Sequence, residues 1–98
     1  MNIQAMMKQA QKMQKDMLNA KNEIDSKIFE GSSSFVKVEM KGTKELTKVT
    51  IDAETIEKDE IEMLEDMILV AVNEAAKKVD VETEEKMGKY TKGMPGLF

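Results

Sequence analysis

Apolar side chains recur with a helical period at the start of this chain and with a strand period in its middle, and that switch fixes the class of fold. Ile3, Met6, Ala10, Met13, Met17, Ala20 and Ile24 are separated by alternating steps of three and four. Such a two-per-seven stripe keeps one narrow face of a helix apolar, here from about residue 2 to residue 25. After Ser26 the period falls to two: Val36, Val38 and Met40 point one way, and Lys37, Glu39 and Lys41 the other. The pattern predicts a short strand over residues 27–30, a loop at Gly31 to Ser34, a second strand over 35–41 and a turn at Gly42-Thr43. A third strand is expected over 46–52, with Thr47, Val49 and Ile51 on one face. Leu46 falls on the other face, so a bulge or an edge contact is expected there.

A second helix is expected from near Glu60, where Asp59 followed by Glu62 forms a D-x-x-E capping pattern. Met67, Ile68, Leu69, Val70, Ala71 and Val72 then follow without interruption. At about 100° per residue, six consecutive apolar side chains cover the whole circumference of a helix. A strand is the rival reading of that run, but the cap before it and Asn73 to Lys78 after it favour helix. Such a segment needs burial on every side, and a three-stranded sheet covers only one. The remainder calls for the first helix or a second copy of the chain. Asn73, directly after the run, is expected to fix the register of such a dimer, with simple exposure as the competing reading. The pattern continues through Val79, Val81, Met87 and Tyr90, with Gly88 as a weak point, and Gly93 to Gly96 ends regular structure. The whole reads as a single α+β domain over 1–98: helical arm 1–25, sheet 27–52, helix 60–90 and a flexible tail 93–98.

Composition removes most chemistry. The chain has neither cysteine nor histidine, which excludes thiolate and imidazole catalysis and the usual transition-metal sites. The acids between Asp52 and Asp66 lack calcium-loop spacing and read as capping plus a solvated face, and Ser32 to Ser34 have no histidine to activate them. No enzyme activity, cofactor, metal or small-molecule substrate is expected. No apolar stretch approaches the ~18 residues of a membrane span, and no signal-peptide pattern opens the chain, so a cytoplasmic location without membrane contact is expected. Every positive charge is a lysine, and without the arginine fork, sequence-specific DNA readout is disfavoured.

Charge is unevenly placed. Residues 1–50 hold nine lysines against six acids, while residues 51–98 hold six against thirteen. On the first helix Lys8, Lys12 and Lys15 fall on one line opposite the apolar stripe and span about 10 Å, a scale comparable to successive phosphates. An ordinary solvated face is the competing reading. Lys86, Lys89 and Lys92 beside Tyr90 form a second cationic patch if the second helix extends that far; otherwise they belong to a flexible tail. The methionine-rich stripe reads as packing surface in preference to an adaptable peptide groove.

Taken together these residues resemble the YbaB/EbfC family of small bacterial nucleoid-associated proteins. The resemblance spans nearly the whole chain. It rests on Met7 to Gln14, Val36-Lys37-Val38 before Gly42, Val49 and Ile51-Asp52, Met63 to Asp66, Ala71, Val72 to Lys78, and the Gly93-Met94-Pro95-Gly96 segment. It implies an α-β-β-β-α homodimer with helical arms projecting from a sheet body, duplex DNA as ligand and a place on the nucleoid. The competing reading, from another class, is an acidic protein-binding adaptor or helical assembly module that does not bind nucleic acid.

Overall fold

The computed structural model describes residues 2–91; Lys92 and the expected tail at 93–98 lie outside them. The Asn2 side-chain oxygen accepts from the backbone N–H groups of Gln4 (3.1 Å) and Ala5 (3.3 Å). That cap satisfies two donors a helix start leaves open, and α1 runs from it over Ile3–Ser26. Lys27 turns extended, and the chain enters three antiparallel strands, β1 (Ile28–Ser33), β2 (Val36–Lys41) and β3 (Leu46–Ile51), in the order β1-β2-β3. A 3₁₀ turn at Lys58–Glu60 leads into α2 (Ile61–Thr91). The fold is therefore α+β in the order α-β-β-β-α.

Three local expectations are corrected. The first strand does not stop at Glu30 but continues through Gly31 to Ser33, with Gly31 paired to Val38. Gly31 is buried inside the strand because α2 presses on it: a Cβ there would sit 2.0 Å from the Ala71 carbonyl oxygen and 2.7 Å from the Ala75 nitrogen. The cap of the second helix is built by Glu57 and Glu60, not by Asp59 and Glu62. The Glu57 N–H donates to Glu60 Oε1 (3.2 Å), and the Glu60 N–H donates to the Glu57 carbonyl (2.9 Å). Val81 is about half exposed and not part of the packed stripe; Val79, Thr83, Met87 and Tyr90 carry that stripe instead, at helical spacing.

The bulge expected near Leu46 is present. Register moves from Glu39↔Lys48 to Met40↔Leu46, leaving Thr47 as the extra residue, and its Oγ1 donates to the Glu39 carbonyl (3.1 Å). Partners across antiparallel strands share a face. The slip therefore returns Leu46 to the side of Val49 and Ile51, which oppose Val38 and Val36.

Val36, Val38 and Met40 of β2, Phe29 of β1, Ala71, Ala75, Val79 and Met87 of α2, and Ile24 of α1 form the core. Small residues on both sides, Gly31 facing Ala71 and Ala75, let α2 approach the sheet at backbone distance. α2 covers β1 and β2, while every residue of β3 is exposed. Of the Met67–Val72 run, Ala71 is fully buried, Met67, Ile68 and Val72 are half-buried, and Leu69 and Val70 remain exposed; so does Asn73.

Candidate nucleic-acid interface

The molecule measures 71 × 20 × 14 Å with a radius of gyration of 19.4 Å, against about 13 Å for a compact chain of this length. The excess comes from an arm in which α1 packs along the last turns of α2 and its upper part continues past the last described turn of α2. Ile24 shares a hollow with Val79, Thr83 and Met87, and Met13 shares another with Lys89 and Tyr90. The two helices are thus antiparallel, and the start of α1 lies at the same end of the molecule as the last described turn of α2. Gly42 fixes the base of this arm: a Cβ there would meet the Ile24 carbonyl oxygen at 1.8 Å.

Lys8, Lys12 and Lys15 are all exposed on the arm. None has a carboxylate partner within 4 Å among the described residues, nor do Lys86 and Lys89. The lysines nearer the sheet differ. Lys21 pairs with Asp25 (2.9 Å), Lys27 with Glu82 (2.6 Å), Lys44 with Asp80 (2.7 Å) and Lys78 with Glu74 (3.6 Å). On the outer sheet face Lys37 pairs with Glu30, Lys48 with Glu39 and Lys41 with Glu45. Such pairs add only about 0–1 kcal/mol each to stability. They do cancel the field that a polyanion would sense, so the uncompensated cationic surface is concentrated on the arm. Lys58 and Lys77 are also without such a pair, but Lys58 stands between Glu57 and Asp59, and Lys77 lines a groove with Glu74, Glu82 and Glu85.

Folding also joins two clusters that are separate in the sequence. Lys12 and Gln9 of α1 and Lys89 and Tyr90 of α2 line one hollow of about 310 Å³, with Asp16 its single carboxylate among the described residues. The Lys89 ammonium lies over the Tyr90 ring, 5.0 Å from its centre. Lys86 is exposed one turn below, and Lys92 falls outside the described residues. Linear sequence does not disclose this meeting, because it depends on the antiparallel register of two helices and joins residues more than 70 positions apart. The apolar spacing on both helices, Met13 to Ile24 and Val79 to Tyr90, is the signal from which that register follows.

Comparison with known proteins gives this geometry a context. The model of the YbaB/EbfC DNA-binding family matches residues 1–94. The chain belongs to that family. A nucleoid-associated protein of Ligilactobacillus salivarius is 43% identical over 99 residues, covering 99% of this chain and 95% of the relative. One from Enterococcus faecalis is 40% identical, covering 98% and 94%, and one from Clostridium botulinum is 46% identical, covering 97% and 86%. The crystal structure of an uncharacterised protein from Helicobacter pylori has the same fold, with a TM-score of 0.66, 21% identity, and 98% and 99% of the two chains covered. Among the described residues of this family member, no helix is long and apolar enough to cross a membrane.

Proposed function

We propose that this chain is a non-enzymatic, nucleoid-associated protein of the cytoplasm that binds duplex DNA as a homodimer. Its arm lysines engage the phosphate backbone with little base readout, and it needs no cofactor. The observation that carries the reading is the contrast between the unpaired lysines of the arm and the ion-paired lysines around the sheet. The positive end of the α1 dipole adds to the arm's field, since no acid occupies its first turn. Membership of a DNA-binding family supports the ligand, and the names of the relatives support the location. Lys8, Lys12 and Lys15 from two copies give six contacts. Log K against log[salt] is therefore expected to fall with a slope near −5, at about −0.9 per neutralised phosphate. Anisotropy of a labelled duplex titrated at 50 and 200 mM salt measures it; no binding at either salt favours the adaptor reading.

The apolar surface that one chain leaves open supports the homodimer. Leu46, Val49 and Ile51 point to the covered side of the sheet yet are each about two-fifths exposed, because α2 stops short of β3. Leu69 precedes Asp80 by eleven residues, about 20° away around the helix. Asp80 pairs with Lys44 in the β2–β3 turn, so Leu69 borders the same uncovered face. Val70, by the same count, shares the flank of Val81, which lines a groove beside Phe29 of β1. A second copy covers what the Met67–Val72 run and β3 leave exposed, and Asn73 lies at the end of that surface. Val49→Asp is expected to lower the sedimenting mass toward the 11.1 kDa of a single chain. An unchanged mass would remove β3 from the interface.

A further inference from the structure

The apolar stripe of α1 is longer than the surface that covers it. Met17 and Ala20 pack against the core and Ile24 lies within it. Opposite Met13, α2 reaches its last described turn with Lys89 and Tyr90. From there to the start of α1, Ile3, Met6, Ala10 and Met13 are exposed, Ile3 by 71%. They continue the same two-per-seven line for three turns, about 15 Å.

We propose that the upper parts of two α1 helices, from two copies of this chain, pair antiparallel through this stripe and so join one assembly to the next. A stripe of this spacing fits knobs-into-holes against another helix. Among the described residues the chain has two helices, and α2 is already engaged lower down, which leaves a second α1 as the matching surface. The flanks agree with self-pairing. Beside the stripe the upper part carries Asn2, Met7, Gln9 and Gln14, all uncharged, whereas the lower part carries Asp16, Lys21 and Glu23. Two identical upper parts therefore meet without like charges at their edges. Centred between Met6 and Ala10, the antiparallel register sets Ile3 against Met13 and Met6 against Ala10, a large residue facing a small one. Lys8, Lys12 and Lys15 lie on the opposite side of α1 and stay open to solvent, so the pairing stands on α1 alone and does not depend on DNA binding.

Two measurements on the full chain test it. In sedimentation, wild type is expected to associate beyond the Met6→Asp variant as concentration rises. Combining Met6→Asp with Val49→Asp should give the single chain, and circular dichroism should show helix retained throughout. Because the chain has no cysteine, Met6→Cys and Ala10→Cys can be introduced separately, mixed and oxidised. Linkage of residue 6 to residue 10 between chains is expected to exceed 6–6 and 10–10 linkage. Equal masses for wild type and Met6→Asp at every concentration would overturn the proposal, as would statistical disulfide pairing. Association that appears only after residues 92–98 are removed would assign the stripe to the chain's own end and overturn it equally.

Discussion

Gly31→Ala is expected to destabilise the protein by about 3 kcal/mol, at the upper end of the range for overpacking a core. One methyl group added at this strand position would lie 2.0 Å from a backbone oxygen of α2 and 2.7 Å from a backbone nitrogen. Neither atom belongs to a side chain that can rotate away, so the helix must lift from the sheet and loosen its contacts with Phe29, Val36 and Val38. For a domain of this size, with a shift of about 4–8 °C per kcal/mol, that corresponds to roughly 12–24 °C in Tm. Gly88→Ala is the internal control, because among the described residues nothing lies within 4 Å of an added Cβ there. In that helix alanine exceeds glycine in propensity by about 1 kcal/mol, so the control should melt slightly higher. Thermal unfolding of the three proteins side by side checks both signs, and a Gly31→Ala protein as stable as wild type would contradict the close approach of α2.

Reversing Lys8, Lys12 and Lys15 to Glu together is expected to lower duplex affinity by about 100-fold or more at 50 mM salt, since each copy then repels the phosphates it had neutralised. The three side chains are exposed and, among the described residues, contact no carboxylate within 4 Å, so folding has little stake in them and circular dichroism should not change. A matched triple reversal of Lys37, Lys41 and Lys48 is the counterpart. Those lysines lie on the outer sheet face against Glu30, Glu45 and Glu39, and their reversal should alter affinity far less. Mobility shifts on a short duplex separate the two variants. Equal losses would indicate a diffuse electrostatic effect, and no loss for the arm variant would remove these lysines from the interface.

Where the sequence could be read correctly, local periodicity and tertiary packing agreed. The stripe from Ile3 to Ile24, the alternation in β2 and the misfit of Leu46 each report on the faces of single elements, and the helix, the strand and the bulge follow. Reading failed where a distant element overrode local composition. Gly31-Ser32-Ser33-Ser34 has the composition of a loop, yet its first three residues form strand, because α2 needs a residue without a side chain beneath Ala71 and Ala75. Asp59 and Glu62 fit a capping pattern as well as Glu57 and Glu60 do, and the 3₁₀ turn before α2 selects the earlier pair. Val81 follows the apolar run, but it faces the groove beside Lys27 and Phe29 rather than the core. Part of the candidate site was similarly hidden. The line of Lys8, Lys12 and Lys15 follows from helical spacing alone, whereas its junction with Lys89 and Tyr90 exists only once α1 and α2 are packed.

Lysine reactivity tests the assignment of the arm as the DNA-contacting surface most directly. With a limiting acetylating reagent, Lys8, Lys12, Lys15, Lys86 and Lys89 are expected to be fully reactive in the free protein and several-fold protected when duplex is added. Lys37, Lys41 and Lys48 should react equally in both states. Protection centred on the sheet lysines, with the arm lysines unchanged by DNA, would contradict it.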